Sequence, residues 1–212
     1  MDFQDFSALV PKLIRVPLPA NEAHFKMAPL ERIQFLKNLK TASLNPKVAA
    51  VMMLMYPKNG KTHLVLIVRN SYNGVHSSQI AFPGGKYELF DQNFEITALR
   101  ETQEEIGVNL DKIEVIMPFT SIYIPPSNFM VYPFLGICTE ELIFIPDPKE
   151  VAGIIELPLT ELLSDDLLIH TQIENSYAKT IRTPAFKIEG HIVWGATAMM
   201  LSELKEVLKK VF

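Results

Sequence analysis

The fold and the chemistry of this chain are decided by one segment, Phe82–Glu88 (FPGGKYE) followed by Ala98–Val108 (ALRETQEEIGV). The second half predicts a helix in which Glu101, Glu104 and Glu105 project from one side, because they stand three and four residues apart. Like charges this close repel one another, and a hard divalent cation bound by oxygen ligands relieves that repulsion directly. The segment therefore predicts a metal site.

The glycine pair before the helix supports the same interpretation. Gly84 and Gly85 permit a tight turn in backbone conformations that other residues resist, which brings main-chain groups close to carboxylates or to a phosphate. A metal ion held there would polarise a phosphoryl oxygen and activate water, as cleavage of a diphosphate requires. Alone, a Glu-x-x-Glu-Glu helix is usually a solvated surface whose Arg100 pairs with nearby acids. The glycine turn and the closing Gly107 favour the metal site.

The segment resembles the Nudix box, in which a glycine and a spaced acid precede Arg-Glu-apolar-x-Glu-Glu-x-Gly-apolar. The matching residues are Gly85, Arg100, Glu101, Glu104, Glu105, Gly107 and Val108. Thr102 takes a position that is normally aliphatic, and the stretch between the first glycine and the arginine is one residue longer than the general pattern. Asp91 or Gln92 replaces the expected first glutamate, an acid thought to support the loop.

The resemblance implies an α/β fold, a Nudix-like α/β/α sandwich with a mixed β-sheet. It also implies that Mg²⁺ or Mn²⁺ is bound by Glu101, Glu104 and Glu105 with help from the carbonyl of Gly85. The same three glutamates are the expected catalytic residues, and the resemblance does not distinguish which of them acts as general base. Arg100 is expected to hold the loop through an ion pair, without a part in the chemistry.

Segments on both sides of the box are similar to the coenzyme A diphosphatase branch of this family. They are Pro133–Gly136, Glu150-Val151 before Leu157–Leu159, and Trp194–Ala198. The similarity implies hydrolysis of coenzyme A, or a derivative, to 3′,5′-ADP and 4′-phosphopantetheine. The motif before the box departs from the branch, since Asn70, Gly74 and Ser78 stand where Ser, Arg and Gly are expected. The missing arginine at position 74 removes a bidentate phosphate ligand.

Two alternatives to coenzyme A hydrolysis stay open. The first is another nucleotide-type substrate, such as ADP-ribose, a dinucleotide or a damaged nucleotide. The second, less favoured because the metal-binding glutamates are intact, is a regulator that binds a nucleotide without cleaving it. Whether the enzyme cleaves coenzyme A or another nucleotide, the expected substrate contacts come from Arg69, His76, Gln79, Phe82 and Gly84. A loop histidine such as His76 more often makes an ordinary hydrogen bond within the protein.

The chain is expected to divide into an N-terminal helical arm, residues 1–45, and a Nudix hydrolase domain, residues 46–212. Pro11 makes a long first helix doubtful, whereas Pro29 suits the start of a second helix. The arm is expected to pack on the domain, and a homodimer contact or a cover over the substrate are alternative roles. Its helical spacing is carried by Phe6, Leu9, Leu13 and Ile14, and again by Leu30, Ile33 and Leu36.

Apolar runs bounded by turn residues predict the remaining elements. The expected strands are Val48–Tyr56, His63–Arg69, Ile113–Pro118, Phe129–Cys138 and Val151–Leu157. The expected helices are Ile96–Glu105 and Ala196–Phe212. Asn59-Gly60, near the centre of Pro57–Lys61, predicts that the first two strands form a hairpin.

Composition limits the classes of partner. The 212 residues carry a net charge of -4, which gives no general attraction for nucleic acid polymers. Cys138 is the only cysteine, so no internal disulfide forms, and a reducing compartment and a buried thiol are expected. Met1–Asp5 lacks the basic start of a secretory signal, and Val48–Tyr56 is too short to span a bilayer as a helix. We therefore expect a cytoplasmic enzyme with a small nucleotide-like substrate and no membrane partner.

Overall fold

The computed structural model describes residues 1–38, 45–70, 79–174 and 180–212. Within these ranges the helices are α1 (Phe3–Leu13), α2 (Asn21–His24), α3 (Leu30–Asn38), α4 (Phe94–Ile106), α5 (Leu159–Leu163) and α6 (Gly195–Leu208). The strands are β1 (Lys47–Lys58), β2 (Lys61–Arg69), β3 (Ile80–Ala81), β4 (Gly84–Lys86), β5 (Glu114–Pro118), β6 (Ile122–Ile124), β7 (Phe129–Ile137), β8 (Val151–Pro158), β9 (Leu168–Glu174), β10 (Thr180–Ile188) and β11 (His191–Val193).

Strand β1 is the centre of a mixed eight-stranded sheet. It pairs antiparallel with β2 and β4 and parallel with β7, while β8 pairs with β2, and β5 and β6 pair with β7. Alternate β1 side chains enter two different cores: Met52 and Leu54 pack with α4, and Met53 and Met55 pack with α1 and α6. Burial on both faces explains the near-continuous apolar run. The expected mixed-sheet sandwich is confirmed.

The predicted β1–β2 hairpin is present, and its turn has the expected chemistry. Asn59 and Gly60 both have positive φ, 50° and 72°, the combination found in tight two-residue hairpin turns. The turn also receives the N-terminus of the chain, since the Phe3 N–H donates to the Gly60 carbonyl at 2.9 Å. The other predicted strands are present with ends shifted by a few residues, and Cys138 is buried just beyond β7.

Helix α4 extends beyond the predicted range at both ends. The Asn93 side chain caps it by accepting from the Ile96 N–H at 2.9 Å. Gly107 ends the helix in the left-handed conformation, with φ of 73°. A side chain there would also collide with Ile145, whose Cβ would lie 2.8 Å from the added atom.

The expectation about Pro11 is wrong, because α1 continues through that residue to Leu13. Pro11 lies in the last turn, so its missing N–H removes only the hydrogen bond that would reach the carbonyl of Ser7. Burial of Phe3, Phe6 and Leu13 against the sheet stabilises the helix despite that loss. Helix α3 begins directly after Pro29, as expected.

A buried carboxylate on α6 is one of the contacts that hold the arm, beside a hydrogen bond from the Ser202 hydroxyl to the Ala23 carbonyl at 2.8 Å. Glu203 accepts from the Ala20 N–H at 2.9 Å and lies 3.2 Å from His24 Nε2. The same carboxylate accepts from the Thr120 hydroxyl at 2.6 Å, so it joins three separate segments. The boundary at residue 45 remains a prediction. No helix in the described ranges is long and apolar enough to cross a membrane.

Candidate active site

The site begins where the β4 turn meets the last part of α4. Gly84 has a φ of 149°, and its N–H donates to Glu105 Oε2 at 2.8 Å. A Cβ at Gly84 would lie 2.4 Å from the carbonyl oxygen of Ala50 on β1, so the close strand pairing admits only glycine. Glu105 is almost fully buried, at 1% exposure, with its carboxylate directed at this turn.

A second glutamate lies over the next glycine. A Cβ at Gly85 would stand 2.3 Å from Glu101 Oε2 and 2.6 Å from Oε1. The carboxylate of Glu101 therefore fills the space that any side chain at position 85 would need. Together, Glu101 and Glu105 place two acidic groups against consecutive residues of one backbone turn.

Arg100 connects α4 to the loop that precedes it. Its Nε and Nη2 donate to the two carboxylate oxygens of Asp91 at 2.9 and 3.0 Å, and Nη2 also donates to the Lys86 carbonyl at 3.1 Å. Asp91 is buried, whereas Gln92 is exposed. The bidentate contact with Arg100 holds the pKa of Asp91 down to about 2. Of the two residues that could replace the loop-supporting glutamate, Asp91 is therefore the one that pairs with Arg100.

The third glutamate is held by the same arginine. Arg100 Nη1 donates to Glu101 Oε1 and to Glu104 Oε2, both at 2.9 Å. Two oxygens bonded to one nitrogen at that length lie within about 6 Å of each other. The Glu104 side chain is 59% exposed, so packing restrains it less than it restrains Glu101 or Glu105. Within the described residues, no three acidic, histidine or cysteine side chains stand close enough to hold a metal ion without movement.

Electrostatics at the two buried carboxyls favours an added cation. Burial raises the pKa of Glu105 to about 7, and the charges of Glu101 and Glu150 add to the increase. Burial also raises the pKa of Glu101, with Glu104 and Glu150 contributing in the same direction. Glu150 is an acidic neighbour that sequence reasoning missed, because nothing local in the sequence shows that it approaches α4.

The donors present fit a hard divalent ion. They are carboxylate oxygens beside main-chain groups of a glycine turn, the ligand type preferred by Mg²⁺ and Mn²⁺. Glu101 and Glu105 already lie against that turn, and their mutual repulsion is relieved only in part by Arg69 and Arg100. Completing the set requires rotation of the exposed Glu104 side chain away from Arg100, which sacrifices a contact worth little at a surface.

Thr102 departs from the aliphatic residue of the box and is nevertheless fully buried. Its hydroxyl donates to the Ala98 carbonyl one turn earlier at 2.7 Å, so the buried polar atom has a partner. Thr102 therefore packs like the aliphatic residue it replaces.

A cavity of about 370 Å³ adjoins the glycine turn. Five residues that the sequence placed at the site line it: Arg69, Gln79, Phe82, Gly84 and Gly85. His76, Gly74 and Ser78 lie outside the described residues. The cavity is lined mainly by apolar groups from β1, β7 and α6, and it also contains three cationic side chains, Arg32, Arg69 and Lys86.

Arg69 lies between the cavity and the glutamates. Its Nη1 is 3.5 Å from Glu105 Oε1, and its Nε is buried with no hydrogen-bond partner among the described residues. Asn70 does not follow it into the cavity, because the Asn70 amide donates to the Pro148 carbonyl at 2.6 Å. Sequence reasoning missed Arg32 and Lys86 as lining residues.

Comparison with known proteins agrees with this geometry. Residues 46–180 match the NUDIX domain family. The chain is 30% identical over 167 residues to "Uncharacterized Nudix hydrolase NudL" of Photorhabdus laumondii, covering 79% of this chain and 88% of that protein. It is 32% identical to the protein of the same name in Cronobacter sakazakii, covering 82% and 90%. The crystal structure of the Nudix hydrolase RenU from M. smegmatis superposes with a TM-score of 0.54 at 14% identity, over 79% of this chain and 88% of RenU, and shows the fold alone. The chain belongs to the Nudix hydrolase family, and its reaction is hydrolysis of a diphosphate substrate.

Proposed function

We propose that the protein hydrolyses the diphosphate bond of coenzyme A, or of a derivative, to 3′,5′-ADP and a 4′-phosphopantetheine. The observation that carries the proposal is the contact of Glu101 and Glu105 with Gly84-Gly85, a turn that also forms one wall of the cavity. A substrate in the cavity therefore has its diphosphate beside the carboxylates without any rearrangement of the sheet.

In this proposal Glu101, Glu104 and Glu105 bind Mg²⁺ or Mn²⁺ together with the main-chain carbonyl of Gly85. The ion, when bound, supplies a Lewis acid that polarises the phosphoryl oxygens and activates water. Asp91 and Arg100 take no part in the chemistry. They fix the loop and the helix relative to each other, which keeps the carboxylates in place over the glycines.

The residues around the turn would position and shield the substrate. Arg69, close to Glu105, supplies positive charge to the diphosphate at the place where negative charge develops. Phe82 and Val51 form part of an apolar wall that limits the access of bulk water. The chain's own contribution is therefore to orient the phosphoryl group and to exclude competing solvent.

Coenzyme A is favoured as the substrate because one branch-like segment forms part of the cavity. Trp194, Gly195, Ala196 and Thr197 all line it, although nothing in their local sequence required that position. Thr197 is also fixed to β3 by a hydrogen bond from its hydroxyl to the Ile80 carbonyl at 2.9 Å. The apolar lining suits a nucleoside or pantetheine body, and the cations suit its phosphates.

The altered motif before the box motivates a second candidate substrate. Asn70 bonds to the Pro148 carbonyl instead of facing the cavity, and no arginine occupies position 74. Hydrolysis of ADP-ribose, a dinucleotide or a damaged nucleotide at the same site is therefore the alternative. It uses the same glutamates and differs only in what fills the cavity.

A product assay separates the two candidates. The purified protein is incubated with Mg²⁺ or Mn²⁺ and a panel of coenzyme A, acetyl-coenzyme A, ADP-ribose and dinucleoside polyphosphates, and the products are resolved by chromatography and mass spectrometry. We expect 3′,5′-ADP from the coenzyme A substrates as the fastest product. Faster turnover of ADP-ribose or a dinucleotide, with no 3′,5′-ADP formed, would assign the alternative substrate.

A further inference from the structure

Arg32 is a cation that the N-terminal arm contributes to the cavity. It lies on α3, and its side chain forms part of the lining beside residues of the β6–β7 connection. One guanidinium nitrogen has a partner within the protein, since Nη2 donates to the Tyr123 carbonyl on β6 at 3.1 Å. That contact directs the guanidinium group to the β6 edge of the cavity.

The positive charge of Arg32 has no counterion in the described part of the chain. Its Nε is buried without a hydrogen-bond partner among the residues that the structure describes, and burial lowers the pKa of the side chain to about 10. A desolvated charge without a partner opposes folding, so such groups are normally paired or exposed. An arginine kept in this state at the wall of a cavity is suited to binding an anion that the protein itself does not supply.

Arg32 is far from the place where the diphosphate is cleaved. The strand pairs Lys86–Ala49, Ala49–Val131 and Val131–Ile122 lead across the sheet from β4 to β6. Three strand spacings amount to roughly 14 Å measured along the sheet. The glycine turn lies at the β4 end of this path, and the Arg32 contact with Tyr123 lies at the β6 end. One guanidinium therefore does not serve both places.

Between its two ends the cavity is lined by apolar side chains. Val131, on the strand between β1 and β6, lines this part, and Phe129, which pairs with Ile124 on β6, lies towards the end that contains Arg32. Arg69 is already beside Glu105 at the other end. The cavity thus offers Arg69 and Lys86 on the side of the glycine turn and Arg32 at the opposite end, a distribution that matches a ligand with two separated anionic groups.

We infer that Arg32 binds a phosphate of the substrate other than the two phosphates of the cleaved bond, so that α3 is part of the substrate site. The inference takes one point from the proposed function, which is that the cleaved diphosphate lies at the glycine turn. It specifies the substrate class as a nucleoside diphosphate derivative with a separate phosphomonoester on the nucleoside. A planar guanidinium can donate two parallel hydrogen bonds to such a phosphate.

Binding of two nucleotides that differ by one phosphate tests this inference without catalysis. Titration calorimetry without metal compares 3′,5′-ADP with AMP on the wild-type protein and on R32Q, R32K and R182Q. The R182Q variant is the matched control, because Arg182 is an exposed arginine on β10 that does not line the cavity. We expect the wild type and R182Q to bind 3′,5′-ADP at least about tenfold more tightly than AMP, as one charge-assisted phosphate contact would give.

In R32Q that preference should fall to less than about twofold, and R32K should retain an intermediate preference because the charge remains without the planar donor pair. Equal binding of the two nucleotides by the wild type, or an unchanged preference in R32Q, would overturn the inference. These binding results decide the role of Arg32 even if coenzyme A proves not to be a substrate. Failure of the proposed function would instead appear in the product assay.

A stability measurement excludes a purely structural role for Arg32. Removal of an unpaired buried charge should leave the unfolding temperature of R32Q equal to or above that of the wild type. If the only role of Arg32 were to anchor α3 to β6 through Tyr123, R32Q would have a lower unfolding temperature. It would also bind 3′,5′-ADP and AMP more weakly by the same factor. That second pattern would refute the proposed phosphate contact. With active enzyme, kcat/KM for coenzyme A relative to 3′-dephospho-coenzyme A should decrease by the same factor as the binding preference.

Discussion

The carboxylate of Glu101 occupies the space in which a side chain at Gly85 would project, with Oε2 only 2.3 Å from the position of an added Cβ. The preference for glycine at position 85 therefore comes from a partner that lies 16 positions later in the chain, since Gly85, unlike Gly84, does not have a positive φ. This contact positions one of the three glutamates relative to the cavity. The first prediction tests it.

Gly85→Ala should displace the Glu101 carboxylate and lower kcat by about tenfold or more, with a smaller effect on the free energy of unfolding because the displaced atoms are the end of a flexible side chain. Gly153→Ala is the matched control, because a Cβ at Gly153 on β8 meets only Val68 at an ordinary 3.6 Å. Steady-state kinetics and urea denaturation of both variants check the prediction. A Gly85→Ala enzyme with wild-type kcat would mean that the position of Glu101 is unimportant for turnover.

Glu104→Gln should reduce turnover by roughly tenfold or more while leaving the fold nearly intact, since it neutralises a proposed metal ligand on an exposed side chain. The contact it loses with Arg100 is worth at most about 1 kcal/mol at that exposure. Glu140→Gln is the control, because Glu140 also loses one exposed ion pair, with Lys112, away from the site. Full activity in Glu104→Gln would require the metal site to lie elsewhere.

Asp91→Asn should lower the free energy of unfolding by about 3 kcal/mol, because it leaves the partly buried Arg100 without its bidentate partner. The pKa of Asp91 is depressed from 3.8 to about 2, so its contribution to stability is present above pH 3.8 and is lost as the pH falls towards 2. Denaturation curves across that interval should therefore converge for the variant and the wild type. Glu140→Gln, which breaks an ion pair with Lys112 in which both side chains are exposed, should show a much smaller change at neutral pH.

Metal affinity should depend on the protonation of Glu105, whose pKa is raised by burial to about 7. Below that pH the carboxyl carries a proton that the metal must displace, so the affinity for Mn²⁺ should fall by up to about tenfold per pH unit. Calorimetry in buffers of different ionisation enthalpy should detect proton release near pH 6. Affinity that is constant between pH 5 and 8 would place this carboxyl outside the metal site.

The same raised pKa has a consequence for the metal-free protein. The folded state binds the proton of Glu105 more tightly than the unfolded chain, where the ordinary pKa is 4.5. Its contribution to stability is therefore complete below pH 4.5 and is lost as the pH rises through about 7. Glu105→Gln should be more stable than the wild type at pH 8 without metal, and added Mn²⁺ should stabilise the wild type more than the variant. Equal thermal unfolding at pH 8 would contradict this expectation.

Local patterns were sufficient where short-range physics controls the conformation. The Asn59-Gly60 turn predicted the β1–β2 hairpin, and the structure has both residues at positive φ. Gly107 predicted the end of α4 and adopts the left-handed conformation there. Pro11 misled the prediction for α1, because burial of that helix on the sheet outweighs the one hydrogen bond that proline removes.

The second sheet, formed by β9, β10 and β11, was not predicted at all. Pro184 lies inside β10, and a proline within a strand pattern normally argues against a strand. It is tolerated because β11 pairs only with Phe186–Ile188, so Pro184 has a partner strand on the β9 side alone. Each strand is stabilised by pairing with another segment of the chain, and that pairing cannot be read from the sequence of one strand alone.

The sequence by itself was sufficient for the family and, through the resemblance to the Nudix box, for the mixed sheet. It also placed Glu101, Glu104 and Glu105 on one side of a helix, because helical spacing acts over a few residues. Only the tertiary structure decided that Asp91, and not Gln92, pairs with Arg100, and that Arg32 from the N-terminal arm faces the cavity. Those contacts depend on how distant segments pack together. An arginine on an amphipathic helix has the same local pattern whether it faces solvent or a phosphate, and the difference arises only when the helix is placed against the sheet.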